Sequence, residues 1–488
     1  MAFQVPRLGP GAIYLRSLDD LFRSNLDLIK VAEIEPQSLW TKGTRARSQP
    51  RGSTVERRWL SALPQRRLIH GVGYPIGGTN CDQKRHIGEF RLWTEELSSP
   101  WVSEHLSILQ VPAARGSQPC GFLMPPLQTD KGVKLAVRNI RQRAAAIGRP
   151  FAFETGVNYF APRPFEMADG EFFSAVAEGA DCGIILDLTN LWVNDRNGRS
   201  RISSVLAKLP LERIWEVHIA GMEYAHGYWL DGHSGEIDPD LIGIAKEIVA
   251  SLPNVGAIIF EIAPDRVSMF GAAAFLKQME TLHLLWNKTP RTATQSVIQR
   301  ERTARQKTLA SPQPTEWERL IADHMLPERE RPPDLGTRLN ATTDDAKSFS
   351  LYSRLAATFR TGAIAELLEN TTRLLLIGLG EQPLRDLLDR YVAVTSPVSF
   401  PTDEALSFRR FMQANPVSVP GLEQMLTFEA TLIEAAVNGV TMQVTLTKDI
   451  DAMLSDISEG ELPGPSSDRP ATLFEIGVDP LPFVKVLQ

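Results

Sequence analysis

The chain has 488 residues, 43% of them hydrophobic and 23% charged, and a formal net charge of −6. It is too long for one ordinary domain, and its balance is that of a folded globular protein rather than a disordered one. The acidic balance argues against a protein that coats nucleic acid, and no apolar run approaches the roughly 18 residues that span a bilayer.

Short apolar runs of strand length recur through the first half of the chain. In order they are Gly11–Leu15, Leu28–Glu33, Arg66–His70, Trp101–His105, Phe151–Glu154, Gly183–Asp187, Ile214–His218 and Ala257–Glu261. Between most of them lie segments with helical spacing of apolar residues: Lys131–Ile147, Met167–Gly179, Pro239–Ser251 and Val267–Trp286. Strands that alternate with helices imply parallel pairing through crossovers, and eight such units match the roughly 250 residues of a closed barrel. The expected fold class is therefore α/β, a (β/α)8 TIM barrel, with an open doubly wound sheet as the alternative.

The last six runs each stop on a histidine or a carboxylate: His70, His105, Glu154, Asp187, His218 and Glu261. The C-terminal ends of barrel strands converge on one mouth, where active sites lie. Three carboxylates gathered there without a counter-ion would be electrostatically costly, so cations are expected among them. Taken singly, each has a plainer reading. A histidine closing a strand is usually a hydrogen-bonded core residue, and an Asp or Glu there is usually a helix N-cap. Six in succession are not explained that way.

Asp231 and His233 are two apart in LDGHSG, so both side chains face one way if the segment is extended. Asn190 follows Asp187 by three, where a turn leaving the strand brings it back to the mouth. The candidate metal ligands are then His70, His105, Glu154, Asp187, Asn190, His218, Asp231, His233 and Glu261. So many side chains exceed the needs of one ion and suit two or three with bridging carboxylates. Imidazole and carboxylate without thiolate fit iron, manganese or zinc.

SEHLS at Ser103–Ser107, CGIILDLTNLWVN at Cys182–Asn194, EVHIAG at Glu216–Gly221 and LDGHSGEI at Leu230–Ile237 resemble the multinuclear non-heme iron-dependent oxidative enzymes, typified by the oxidase of methanobactin biosynthesis. HGVG at His70–Gly73 and the pair Phe153–Glu154 fall in matching order, and the likeness covers roughly residues 10 to 290. The resemblance implies two or three iron ions, mixed ferrous and ferric, with O2 as co-substrate. It implies one metal on His70, His105 and Glu154, a second on Asp187, His218 and Glu261 bridged by Glu154, and a third at Asn190, Asp231 and His233. Glu154, Asp187 and His233 become the candidate catalytic residues.

Thr155, Thr189 and Met222 depart from the family pattern, and Glu223–Trp229 reads as a local insertion. These departures are expected to line the substrate pocket. His226 in the insertion is a candidate proton donor or substrate contact, against the plainer reading of a solvated loop histidine. Glu104, beside His105, is a candidate to orient a ligand or to form a salt bridge.

The composition changes after Trp286. Residues 291–314, rich in Thr, Arg, Gln and Ser, read as a linker between a catalytic barrel at 1–290 and a mainly helical domain at 315–488. Pro327–Asp345 is expected to be an exposed loop. Helical spacing marks Leu351–Phe359, Ala363–Ile377, Pro383–Val392, Thr402–Gln413 and Gly421–Ala436, while Val440–Thr447, Thr472–Ile476 and Phe483–Leu487 read as strands. LYSRL at Leu351–Leu355 and LTFEATLIEAA further on resemble the small peptide-binding partner proteins of these oxidases. That likeness implies a fused partner that holds a peptide, in place of a separate partner protein.

The expected function is an iron- and O2-dependent oxidase that modifies a residue, Cys or another, of a ribosomally made precursor peptide. The alternative is a zinc or manganese hydrolase or isomerase of the superfamily of endonuclease IV and xylose isomerase. No nucleic-acid or membrane partner is expected. Cys81, Cys120 and Cys182 form neither a zinc pattern nor a disulfide framework, and Met1–Pro10 does not read as a secretory signal, so a reduced, cytoplasmic compartment is expected.

Overall fold

The structure, a computed structural model, describes residues 3–41, 51–52, 54–80, 86–290, 311–333, 339–464, 468–477 and 483–487. Cys81 and most of the expected linker lie outside the described residues. Eight parallel strands close into a barrel: β1 (Gly9–Ile13), β2 (Val31–Ile34), β3 (Arg66–Gly71), β4 (Val102–His105), β5 (Phe151–Glu154), β6 (Gly183–Asp187), β7 (Ile214–Ala220) and β8 (Ala257–Glu261). Each pairs with its neighbours in sequence, and β8 closes on β1 with Gly9 opposite Ala257 and Ala12 opposite Phe260. All eight strands were expected from their apolar runs, three of them with these bounds. The doubly wound alternative does not apply.

The barrel's layering follows from the two-residue period of a strand. Val31, Leu68, Ala152, Ile185 and Ile259 point inward and pack with Trp101 and Trp215 as one apolar layer. Their outward neighbours Ala32, Ile69, Phe153, Leu186 and Ile258 pack against the surrounding helices. One step further along each strand, the next inward residue is Glu33, His70, Glu154, Asp187 or Glu261. The polar layer is thus stacked on the apolar one, at the end where the strands finish.

The covering helices include α1 (Asp130–Ile147), α2 (Asp169–Ala180), α3 (Pro239–Ser251) and α4 (Ala272–Trp286). Thr129 caps α1 by accepting from the Gly132 amide, and Gly148 ends it in the left-handed conformation at φ 74°. Gly271, at φ 78°, separates α4 from a short preceding helix, Val267–Phe270, so the single expected helix is two. Two hairpins rise from the mouth, Ile108–Pro112 with Ser117–Met124 and Glu223–Ala225 with Tyr228–Leu230.

Beyond the barrel come α5 (Pro314–Met325), α6 (Thr343–Leu367), α7 (Glu369–Leu379), α8 (Glu381–Val394), α9 (Pro401–Ala414), α10 (Leu422–Asn438) and α11 (Ile450–Ser458). A three-stranded antiparallel sheet, β9 (Met442–Lys448), β10 (Asp468–Gly477) and β11 (Phe483–Val486), has β10 at its centre. Helix α6 joins two cores. Phe349, Leu351 and Tyr352 pack with Trp317 and Leu320 of α5 and with Ile108, Met124, Tyr159 and Phe160 of the barrel loops. Ile364 enters a second core with α7, α8, α9, α10 and the sheet. Among the described residues, no helix is long and apolar enough to cross a membrane.

Candidate metal centre

The mouth brings all nine expected residues together at the strand ends and the loops that follow them. His70 and His105, on adjacent strands β3 and β4, aim their Nε2 atoms at one carboxylate oxygen. His70 Nε2 lies 3.0 Å and His105 Nε2 lies 3.1 Å from Glu154 Oε2. Across the barrel, His218 Nδ1 lies 3.1 Å from Glu261 Oε1. Asp231 Oδ1 lies 3.1 Å from His233 Nε2, which is 3.5 Å from Glu261 Oε2. Ligating atoms of His70, His105 and Glu154 lie within 4.8 Å of one another, as do those of Glu154, Asp187 and His218 and those of Glu33, His218 and Glu261.

Each histidine of the strands is held from behind by its other nitrogen. His70 Nδ1 lies 2.8 Å from Ser103 Oγ, which itself donates to the Ile69 carbonyl, so the imidazole N–H donates to the hydroxyl. His105 Nδ1 donates to the Gly71 carbonyl at 3.0 Å. His218 Nε2 faces Glu33 at 3.3 Å. The inward nitrogens of His70 and His218 make no hydrogen bond, and neither do Glu154 Oε2, Asp187 Oδ2, Asn190 Oδ1 and Asp231 Oδ1. Such atoms approach one another closely but lack hydrogen-bond geometry.

Asp187 combines two roles weighed from its position. Its Oδ1 caps the helix Leu188–Arg196 by accepting from the Asn190 amide at 2.6 Å, while Oδ2 stays bare. That capped turn returns Asn190 to the mouth, where its amide nitrogen donates to Glu154 Oε1 at 3.2 Å.

The electrostatics record crowding of both signs. Burial opposes protonation of His105, but the Glu154 carboxylate and then Glu104 push it up to about 10. Burial would raise Glu154, yet His105 and His70 hold it well below the carboxylate range. Glu261 is likewise lowered to about 2 by His218 and His233 against its burial. Asp187 goes the other way, raised by burial and by the neighbouring Asp231, Glu154 and Glu261.

Several residues around the centre were not in the expected set. Glu33, fully buried, was the end of a predicted strand and carried the same signal as Glu154, Asp187 and Glu261, a carboxylate one inward step beyond an apolar residue. Glu35 follows it by two; burial raises its carboxyl, with His70, Glu261, His105 and His233 all acting on it. Glu216 Oε2 accepts from Trp101 Nε1 at 2.9 Å while Oε1 lies 3.8 Å from His218 Nε2. Glu104 stands behind the strand wall, with its Oε1 3.6 Å from His105 Nδ1. It accepts from the Tyr74 amide at 3.2 Å and pairs with Arg143 at 3.5 Å, fixing the loop after β3.

Two expectations about the pocket need correcting. Thr155 and Thr189 do not line an open pocket; both are fully buried. Thr155 Oγ1 accepts from the Asp187 amide at 3.1 Å, and Thr189 Oγ1 accepts from the Ala220 amide at 2.7 Å, so each hydroxyl satisfies a backbone donor left at a strand end. His226 is exposed at the turn of its hairpin, at φ 55° beside Gly227 at 83°, which is the backbone a two-residue hairpin turn demands.

The profile of the family described as RiPP precursor modification enzyme MbnB/TglH/ChrH matches residues 22–267. The chain belongs to this family. A UPF0276 protein of Shewanella loihica is 32% identical over 224 residues, covering 46% of this chain and 76% of that protein. One of Anaeromyxobacter sp. is 31% identical over 192 residues, covering 39% of this chain and 66% of that protein. Among solved structures, 3-keto-D-glucoside 4-epimerase of E. coli is 15% identical with a TM-score of 0.36, covering 56% of this chain and 98% of the other. A xylose isomerase domain containing protein of Salmonella typhimurium is 11% identical with a TM-score of 0.38, covering 58% and 99%. The family match spans β2 to β8 and every strand-end residue of the centre, and it stops short of α5 to α11.

Proposed function

We propose that this family member is a multinuclear iron- and O2-dependent oxidase that modifies a residue of a ribosomally made precursor peptide. The observation that carries the reading is the set of buried, unbonded polar atoms in the mouth. A buried carboxylate or imidazole atom left without a partner is costly, and a metal ion is the partner that can satisfy several at once. His70 and His218, each held at one nitrogen and bare at the other, fit the same role.

In this reading His70, His105 and Glu154 hold one ion, and Asp187, His218 and Glu261 hold a second, with Glu154 between them. Asn190, Asp231 and His233 serve a third. Bound iron would supply the one-electron and O2 chemistry that side chains lack. The chain's own residues fix the spacing and keep water out: Glu154, Asp187 and Glu261 are each less than a twentieth exposed, whereas His233 is 30% exposed and faces the side from which substrate would arrive.

The barrel at 1–290 would be the catalytic part, 291–314 the linker, and 315–488 the part that holds the peptide. The small sheet supports that last role, since β9 and β11 are its edges and Val484 and Val486 are exposed on β11. A strand edge can take an added peptide strand. A cytoplasmic site of action fits the free, buried Cys120 and Cys182.

Metal analysis with Mössbauer spectroscopy on anaerobic, iron-supplemented protein tests the reading. Two or more irons per chain, partly ferrous and partly ferric, would support it. Zinc or manganese at full occupancy, with no activity recovered by iron, would replace it with the hydrolase or isomerase class.

A further inference from the structure

The loop that leaves β5 after Glu154 crosses the mouth, and at Tyr159 it is held by the C-terminal part of the chain. The Tyr159 amide donates to Tyr352 Oη at 3.3 Å, and its carbonyl accepts from Ser348 Oγ at 2.8 Å. Both partners lie on α6. The neighbouring Phe160 stacks on Tyr352 at 5.3 Å and meets Phe349 and Trp317 edge-on, at 4.9 and 5.0 Å. Arg163 closes the same loop onto α6 through Asp345 at 2.6 Å.

Held there, the Tyr159 side chain reaches the segment that follows β7, two strands round the barrel from β5. Its hydroxyl accepts from the Asp231 amide at 3.3 Å, and the residue is only 7% exposed. Asp231 and His233 need such a tether more than the other members of the centre do. They stand on an irregular segment rather than a strand end, and they are 22% and 30% exposed. His233 also holds a left-handed backbone at φ 43°, which a residue with a side chain adopts only when its surroundings impose it.

We infer that Tyr159 is a positioning residue for the Asp231–His233 pair, and that Ser348 and Tyr352 of α6 set where it stands. The C-terminal region is then part of the metal centre's scaffold and not only a module that carries substrate. The inference rests on the metal-centre reading above.

Cobalt(II) titration of the full-length protein, followed by visible absorption and competition dialysis, tests it without any substrate. The variants are Y159F, Y352F, S348A and S348T, with D231A as the benchmark. Y159F should weaken the ion that D231A abolishes by roughly fivefold, the scale of one hydrogen bond, and leave the other ions as in the wild type. S348A and Y352F should weaken that same ion, and S348T, which keeps the hydroxyl, should restore it. Unchanged affinities in Y159F, or equal weakening of every ion alongside a lower melting temperature, would overturn the inference while sparing the metal centre. A wild type that takes up no cobalt, or a D231A variant that loses no ion, would overturn the reading beneath it.

Discussion

Glu33 stands 3.3 Å behind His218, on the side of the ring away from Glu261. An imidazole whose Nε2–H is taken by a carboxylate presents Nδ1 as a bare, more basic donor toward the mouth. Replacing Glu33 with Ala should cost about 10- to 100-fold in affinity for the ion that His218 serves, the usual scale for losing such a support. E33Q should cost less, because its amide oxygen still accepts. Competition dialysis against a chelator gives the ranking, and equal retention by wild type and E33A would remove Glu33 from the centre.

Glu154 lies in two of the ligand clusters, beside His70 and His105 and again beside Asp187 and His218. E154A should therefore lose more metal per chain than H105A, which touches one cluster. Elemental analysis of the purified variants decides this. A single shared stoichiometry for the two variants would argue against a bridging carboxylate.

Glu318 on α5 reaches the loop after β3, accepting from the amide and the hydroxyl of Thr79. Its carboxyl is pushed up to about 7 by burial, against the two hydrogen bonds, which lower it. A carboxyl raised in the folded state binds its proton more tightly there than in the unfolded chain. Its contribution is therefore fully present below the unfolded value near 4.5 and is lost as pH rises through about 7. The wild type should lose up to roughly 3 kcal/mol relative to E318Q between pH 5 and pH 8. Urea unfolding of the metal-free proteins at both values measures the difference, and parallel curves would refute it.

Phe160 is buried among Trp317, Phe349 and Tyr352, and with Ile108, Met124 and Tyr159 it packs the barrel loops on α5 and α6. F160A should destabilise the protein by about 3 to 5 kcal/mol, as emptying an aromatic site in a core does. Thermal unfolding monitored by tryptophan fluorescence provides the test. A loss under about 1 kcal/mol would mean that the loop does not depend on this contact.

The barrel was legible because two signals coincide in most of its strands: an apolar run, and a histidine or carboxylate at its end. Leu68 then His70, Ala152 then Glu154, and Ile185 then Asp187 show the rule in bare form. Glu33 ends its predicted run in the same way and was still passed over, since only the closed barrel shows that it turns inward. Glu216 was hidden for the same reason, since a carboxylate on a strand carries no mark of which face is buried, and Glu35 lies just past a strand end, where a carboxylate reads as a turn residue. Thr155 and Thr189 were expected in the pocket because they depart from the family pattern, and nothing local shows that their hydroxyls meet backbone amides of neighbouring strands. The hairpin at Glu223–Leu230 was readable as an insertion, yet only the positive φ angles at His226 and Gly227 show its turn. Helices α5 and α11 were missed because one begins within polar sequence and the other has just 9 residues.

Helix α6 has 25 residues, a rod about 37 Å long with no proline or break within it. Its first half is buried with the barrel loops and its last turns with the C-terminal helices, so neither mass can melt while the other keeps that rod in place. The free energy of the two cores is pooled. Calorimetry should show them come apart as one cooperative transition, and a weakness introduced at either end should lower the melting temperature of the whole chain.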